Sequence, residues 1–245
     1  MLSLSFVTGT EPDKWCGRFT ERTRHGGLAA TSSDDPLALV IADTADLGLV
    51  RLPDARVDSS MHVVTLYDEQ LGVALNKDHT LTLLETLTET DITDDIIHYR
   101  LPATGLLTGE TIAEIRTHLQ VVAAGVGIVI APRPLLKNLS GNLVEHREYV
   151  DPEITATTIA LVWRKEKDND AIQDFVGIAK GRTANSSRQA QPKKTAREKA
   201  LAKKARAAAR SGKTANATGK TTSGKPRRGG VDKQKPKKRR GNGRS

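Results

Sequence analysis

One cysteine, Cys16, stands in 245 residues. It cannot close a disulfide within the chain, and no cysteine-built metal site can form around it. Aromatic residues make up only 3% of the chain, and none follows Phe175. No run of 18 apolar residues occurs, so no membrane-spanning helix is expected and no membrane partner. The opening "MLSLSFVTGT" lacks the basic start and long apolar core of an export signal. A cytoplasmic protein is the expectation.

Acidic residues are missing from one region. The last 65 residues hold only Glu198 and Asp232 against 22 Lys and Arg, a net of +20, whereas residues 1–180 carry a net of −11. The two regions are different materials. The tail has one Leu, one Val and no Ile, Met or aromatic residue. It cannot bury enough apolar surface to offset chain entropy, so residues 181–245 are expected to be disordered. The first 180 residues have the apolar content and turn punctuation of a folded α/β domain.

Residues 2–6 alternate apolar and polar, a strand pattern. "EPDKWCGRFTERT" predicts a helix opening near Pro12, with Trp15, Phe19 and Cys16 sharing a face. "LAATS" reads as a second strand. "SSDDP" is helix-start chemistry, with Pro36 just inside. "ADLGLVRLP" follows as a third strand, and this β-α-β-α-β order is the mark of a parallel sheet. "MHVVTLYDEQLGVAL" is extended with a polar break at residues 68–70, and a weak helix is expected over 88–95. "IIHYRLP" is a strand. Thr111 and Glu114 have capping-box spacing before a helical face of Ile112, Ile115, Leu119 and Val122. A short helix at "PRPLLKNL", strands at "LVEHREYV" and "TTIALVWR", and a last helix capped by Asn169 and stopped by Gly181 complete the body.

These pieces, in this order, resemble the effector-binding domain of LysR-type transcriptional regulators. The resemblance rests on "LSLSFVTGTEPDKW", "ADLGLVRLP", "VVTLYDEQLGVALNKDH", "VVAAGVGIVIAPRPLL" and "IALVWRKEKDNDAIQDFVGIAKGRTANSSR". The last is similar to a narrower group, stand-alone bacterial LysR substrate-binding-domain proteins that carry a Lys/Ala/Arg tail. The chain lacks the winged helix-turn-helix and linker helix of full regulators, so operator reading by that module is not implied. What the resemblance implies is a two-lobed, type 2 periplasmic-binding-protein-like α/β fold. The first lobe would be residues 1–68 plus 154–180 and the second 69–153.

In open α/β sheets, ligands bind beyond the carboxyl ends of the strands. Thr8, Gly9 and Thr10 lie between the first strand and the first helix, where a glycine lets backbone approach a ligand and hydroxyls donate. Arg51, at the end of the third strand, is placed to clamp a carboxylate in two-point fashion. Pro102 and Thr104 end a strand in the second half, and Thr108 opens a helix. Together these residues describe a cleft for a small polar or anionic metabolite. Two plainer readings stand beside it: Thr10 caps its helix, and Arg51 pairs with Asp34 or Asp35.

Gly125 and Gly127 lie at a helix-to-strand exit, the wrong place for a nucleotide fingerprint. The six histidines show no metal spacing, and neither a cofactor nor an enzyme is expected. In the tail, Lys193, Lys194, Arg197, Lys203, Lys204, Arg206, Arg227, Arg228, Lys237, Lys238, Arg239 and Arg240 form clusters suited to phosphate backbones. With no aromatic residue among them, stacking on single-stranded bases is not supported. DNA and RNA both remain open as partners, and so does a homodimer.

Two functions fit this organisation. One is an effector-sensing domain of LysR type, in transcription regulation or accessory DNA binding, whose tail contacts nucleic acid nonspecifically. The alternative is a nonspecific nucleic-acid or nucleoid-binding protein whose folded part is a ligand-free relic.

Overall fold

A computed structural model describes residues 1–181. The chain opens with β1 (Leu2–Val7), α1 (Asp13–Arg22), β2 (Leu28–Ser33), α2 (Pro36–Ile41) and β3 (Leu47–Leu52). It continues with β4 (Met61–Asp68), β5 (Leu71–Asn76), the short β6 (Thr86–Leu87) and β7 (Ile97–Arg100). Then come α3 (Gly109–Ala123), β8 (Ile128–Pro132), α4 (Arg133–Leu139), β9 (Val144–Tyr149), β10 (Thr158–Arg164) and α5 (Asp170–Ala179).

The strands form two five-stranded sheets, ordered β2-β1-β3-β10-β4 and β6-β9-β5-β8-β7. β1 runs parallel to both β2 and β3, and β10 returns antiparallel between β3 and β4. In the second sheet β5 is antiparallel to β8 and β9, while β7 lies parallel to β8 through the α3 crossover. The chain crosses from the first sheet to the second between Asp68 and Leu71, and back between Tyr149 and Thr158.

Position in the sheet explains composition. Central β3 reads LGLVRL and is buried along nearly its whole length, as a strand covered on both faces must be. Edge strand β2 reads LAATSS and is largely exposed. α2 begins with Pro36 behind Asp35, whose carboxylate accepts from the Ala38 N–H at 3.1 Å. α5 is capped by Asn169 in the same way. On α3, Ile112, Ile115, Leu119 and Val122 are all buried, each contributing about 1.5–3 kcal/mol by leaving water.

One apolar cluster runs through both sheets without a break. It joins Leu4 and Leu49 of the first to Val129 of the second and to Ile115 and Leu119 of α3, with Phe19 and Phe175 packed edge to face at 5.8 Å. Two smaller clusters cover the outer faces, one with Val73, Ile130 and Tyr149, the other under Leu37 and Val40 of α2.

Two local expectations are corrected. α3 is capped one turn earlier than its Thr111–Glu114 spacing suggests. Thr108 has extended backbone, and its hydroxyl accepts from the Thr111 N–H while the Thr111 hydroxyl accepts from the Thr108 N–H. The helix expected over 88–95 is a single 3-10 turn at Glu89–Asp91. There Asp91 accepts from both the N–H and the hydroxyl of Thr88, so side chains satisfy locally what a continued helix would have bonded.

Candidate functional site

The strand pleat turns Arg51 inward at the end of β3, where it is 4% exposed. Its Nε donates to Glu69 Oε2 at 2.6 Å and its Nη2 to Glu69 Oε1 at 3.0 Å. Nη2 also donates to the Thr8 carbonyl at 3.1 Å. Glu69 is equally buried and takes a further bond from the Thr157 hydroxyl at 2.8 Å. Glu69 lies in the first crossing between the sheets and Thr157 in the second. A two-point ion pair therefore ties the end of β1, the end of β3 and both crossings together. Arg51 Nη1 is buried and has no hydrogen-bond partner among the described residues.

Arg51 does not pair with Asp34 or Asp35. Asp34 accepts from the Thr8 hydroxyl at 2.5 Å and from Arg116 of α3 at 3.0 Å. Asp35 is held by Arg56 at 2.7 and 2.8 Å, and those hydrogen bonds keep its carboxyl below the ordinary range. Nor does Thr10 cap α1: its hydroxyl donates to the Val7 carbonyl at 2.7 Å, and Pro12 holds the cap position without a side-chain bond. The turn takes Thr10 because it closes on β1.

Gly9 divides the junction of the two sheets. Its φ is +94°, and a Cβ there would lie 2.8 Å from the Cα of Leu135 in α4. Backbone meets backbone at this point. On one side Arg51, Asp34 and Thr108 line a cavity of about 20 Å³, room for roughly one water molecule. On the other side Gly9 and Thr10 line an open groove of about 1090 Å³. The residues predicted to share one cleft are thus split: Arg51 and Thr108 line the small cavity, Gly9 and Thr10 line the groove, and Thr8 lines neither but donates its hydroxyl to Asp34 of the small cavity. Pro102 and Thr104 are exposed and line neither space.

Sequence reasoning missed Glu69. The break "DEQ" reads as exposed loop, and nothing in a spacing of 18 residues links Glu69 to Arg51. It also missed the groove itself, which brings Arg133 and Lys137 of α4 and Arg147 of β9 together with the carboxylates Glu11, Asp68 and Glu145, because these residues are scattered along the chain. Among the described residues no cluster of His, Cys, Asp and Glu could hold a metal ion, and no helix is long and apolar enough to cross a membrane. The tail residues from Lys193 to Arg240 lie outside the described residues.

Two βαβ sheets crossed twice by the chain set the architecture, and comparison with known proteins names it. The LysR substrate binding domain family matches residues 14–184. The chain belongs to this family. As a LysR substrate-binding domain it shares its fold with solved regulators. A full-length OxyR variant from Pseudomonas aeruginosa matches with a TM-score of 0.54 at 15% identity, over 75% of this chain and 68% of that one. CbnR, a LysR family transcriptional regulator, matches with a TM-score of 0.54 at 16% identity, over 73% of this chain and 68% of that one. The effector binding domain of a BenM variant matches with a TM-score of 0.54 at 16% identity, over 75% of this chain and 97% of that one. The domain thus covers almost all of an isolated effector domain and about two thirds of the full-length regulators. At these identities the likeness is one of fold. No curated protein matches.

Proposed function

We propose that this LysR substrate-binding domain senses a small polar or anionic metabolite at the junction of its two sheets and that the basic tail holds it on nucleic acid. One observation carries the sensing half: a buried arginine at a strand end, Arg51, keeps one guanidinium nitrogen unpartnered. A buried donor without a partner costs free energy that a ligand oxygen would recover. Glu69 already neutralises Arg51, so an effector carboxylate has to share the guanidinium or displace Glu69. Thr8 and Thr108 are the hydroxyl-bearing neighbours of that seat, and Pro102 and Thr104 enter it only if the junction opens. The tail half rests on composition, +20 over the last 65 residues, which favours phosphate backbones with little sequence choice. A cytoplasmic regulator or accessory DNA-binding protein, not an enzyme, is the resulting reading.

A second reading has its own support. The cavity beside Arg51 is about 20 Å³, and apolar packing runs unbroken from one sheet to the other. Both suit a domain that has lost its ligand and serves a nonspecific nucleic-acid-binding protein.

Thermal shift of the full chain against small carboxylates, amino acids and their uncharged amides separates the two. A sensor gains stability with ligand excess over Kd, and the gain should vanish in Arg51→Met/Glu69→Leu. A blank across acids and amides alike supports the relic.

A further inference from the structure

A free sheet edge is a row of unpaired backbone donors and acceptors, and folded proteins blunt such rows with charge, bulges or very short strands. Among the described residues the two sheets end on four strands: β2, β4, β6 and β7. β6 has only two residues. β7 carries Arg100 and a register shift between Ile97 and Tyr99. β2 presents mostly Ala, Ser and Thr. β4 differs from all three. It is eight residues long and lies at the edge of the first sheet, beyond β10. From Met61 to Tyr67 it reads MHVVTLY, with no acidic residue, lysine or arginine. β-branched and aromatic side chains of this kind favour strand pairing. Val63 and Tyr67 are 40% and 43% exposed, and Thr65 between them is exposed as well.

The ladder with β10 decides which backbone groups face outward. Lys165 N–H donates to the Ser60 carbonyl at 2.9 Å, so Ser60 turns toward β10. Alternate residues of an antiparallel strand turn toward and away from the partner, and the register is regular from Met61↔Arg164 to Thr65↔Ala160. His62 and Val64 therefore turn toward β10, while Met61, Val63 and Thr65 aim their N–H and C=O groups at the open side. Beyond Thr65 the register shifts, Leu66 has no counterpart on β10, and the regular row ends.

This row pairs with an identical one. In an antiparallel copy related by a two-fold axis through Val63, Met61 faces Thr65, Val63 faces its own copy, and His62 faces Val64. Each outward pair exchanges two backbone hydrogen bonds, and no like charges stand opposite one another in the row. The strand ends are complementary in charge. The start of β4 lies beside Lys165, which is exposed. Arg164 and Lys167 are engaged by Glu166 and Asp43, whereas Lys165 forms no ion pair among the described residues. The end of β4 is Asp68. Antiparallel pairing sets the Asp68 end of one strand against the Lys165 end of the other, twice. Asp58, also at the start, accepts from the N–H and hydroxyl of Ser60 and lies in the field of Arg164 and Lys165.

We propose that β4 is a self-association edge, which pairs with β4 of a second copy about Val63 and joins two five-stranded sheets into one. The proposal is independent of the Arg51 seat.

The test uses the full chain, freed of nucleic acid, in sedimentation equilibrium over a range of concentrations. The basic tail is present in every variant, so its contribution is constant. Val63→Lys places two ammonium groups opposite each other on the axis and should weaken association roughly tenfold or more. Val63→Thr, β-branched and uncharged, should keep it. Leu83→Lys, which removes a more exposed apolar side chain at 88%, should also keep it. Position is read by cross-linking. Facing residues of a hydrogen-bonded antiparallel pair have Cα atoms about 5.5 Å apart, within the reach of a disulfide. Val63→Cys under mild oxidation should therefore give a 63–63 linked peptide by mass spectrometry. Tyr67→Cys, equally exposed on the same strand but off the axis, gives the collision background. The proposal fails if the chain stays monomeric, if Val63→Lys associates as the wild type does, or if the 63–63 link is no more abundant than the 67–67 link. Val63 is exposed, so these variants should melt as the wild type does. A Val63→Lys protein that has unfolded leaves the decision to the cross-link.

Discussion

At the scale of single residues, Arg51 and Glu69 form a two-point ion pair in the interior. Both side chains are almost fully buried, 3% and 0% exposed. Their mutual attraction offsets two desolvation penalties, so removing one partner is far worse than removing both. Arg51→Ala should destabilise the domain by about 3–5 kcal/mol, because Glu69 would be left charged and dry. Arg51→Met/Glu69→Leu should cost clearly less than either single change, and urea denaturation of the three variants checks the order. Equal losses for the singles and the double would mean that the pair is not coupled. His146 supplies a second residue-scale test. Burial pushes its pKa below the ordinary 6.5, with Arg133, Lys137 and Arg147 adding to the effect against Glu145. Above that value the imidazole is neutral folded or unfolded, and the full stability is present. As pH falls through 6.5 the unfolded chain takes a proton that the folded site resists, so stability is lost. Melting curves at about pH 7.5 and about pH 5.5 should show a larger acid loss for the wild type than for His146→Gln.

At the scale of elements, patterning exposed most of the fold but not its joints. β1, β3, the buried face of α3 and the caps on α2 and α5 follow from apolar spacing and from which residues satisfy a helix start. Those are local rules, and the sequence carries them locally. The failures are equally local in cause. Thr108 and Thr111 both suit a cap, and only the backbone at Thr108 decides between them. Around Thr88 the competition between side-chain and helical bonds went to the side chains. What no pattern could show is that Gly9 touches α4, since that contact spans more than 120 residues of chain. Its consequence is measurable. Gly9→Ala combines a left-handed φ with a Cβ 2.8 Å from the Cα of Leu135, and backbone cannot step aside as a side chain can. A loss of at least about 1–3 kcal/mol is expected. Gly141→Ala, with nothing within 4 Å, should leave the melting temperature almost unchanged. If the two variants melt alike, the backbone contact does not hold the junction.

At the scale of the whole molecule, charge is divided sharply between the two ends of the chain. A body of net −11 is joined to a tail of net +20, and the same field that would draw the tail to a phosphate backbone repels that backbone from the body. This opposition predicts more than binding. If roughly six phosphates are neutralised at once, duplex affinity should fall on the order of 10³-fold between 50 and 200 mM salt. Removing residues 225–245, which hold the clusters around Arg227 and Lys237, should shallow the slope of log affinity against log salt in proportion to the cations lost. Removing residues 182–245 should abolish binding, because the remaining acidic body has only repulsion to offer. Sequence preference should stay weak throughout, since the tail carries no aromatic ring to stack on bases and its cations favour phosphates. A fluorescence-anisotropy series over salt, with duplexes of unrelated sequence, measures slope and preference together. A slope that ignores the truncations would assign nucleic-acid contact to the folded body, and the two-part division of labour would fall with it.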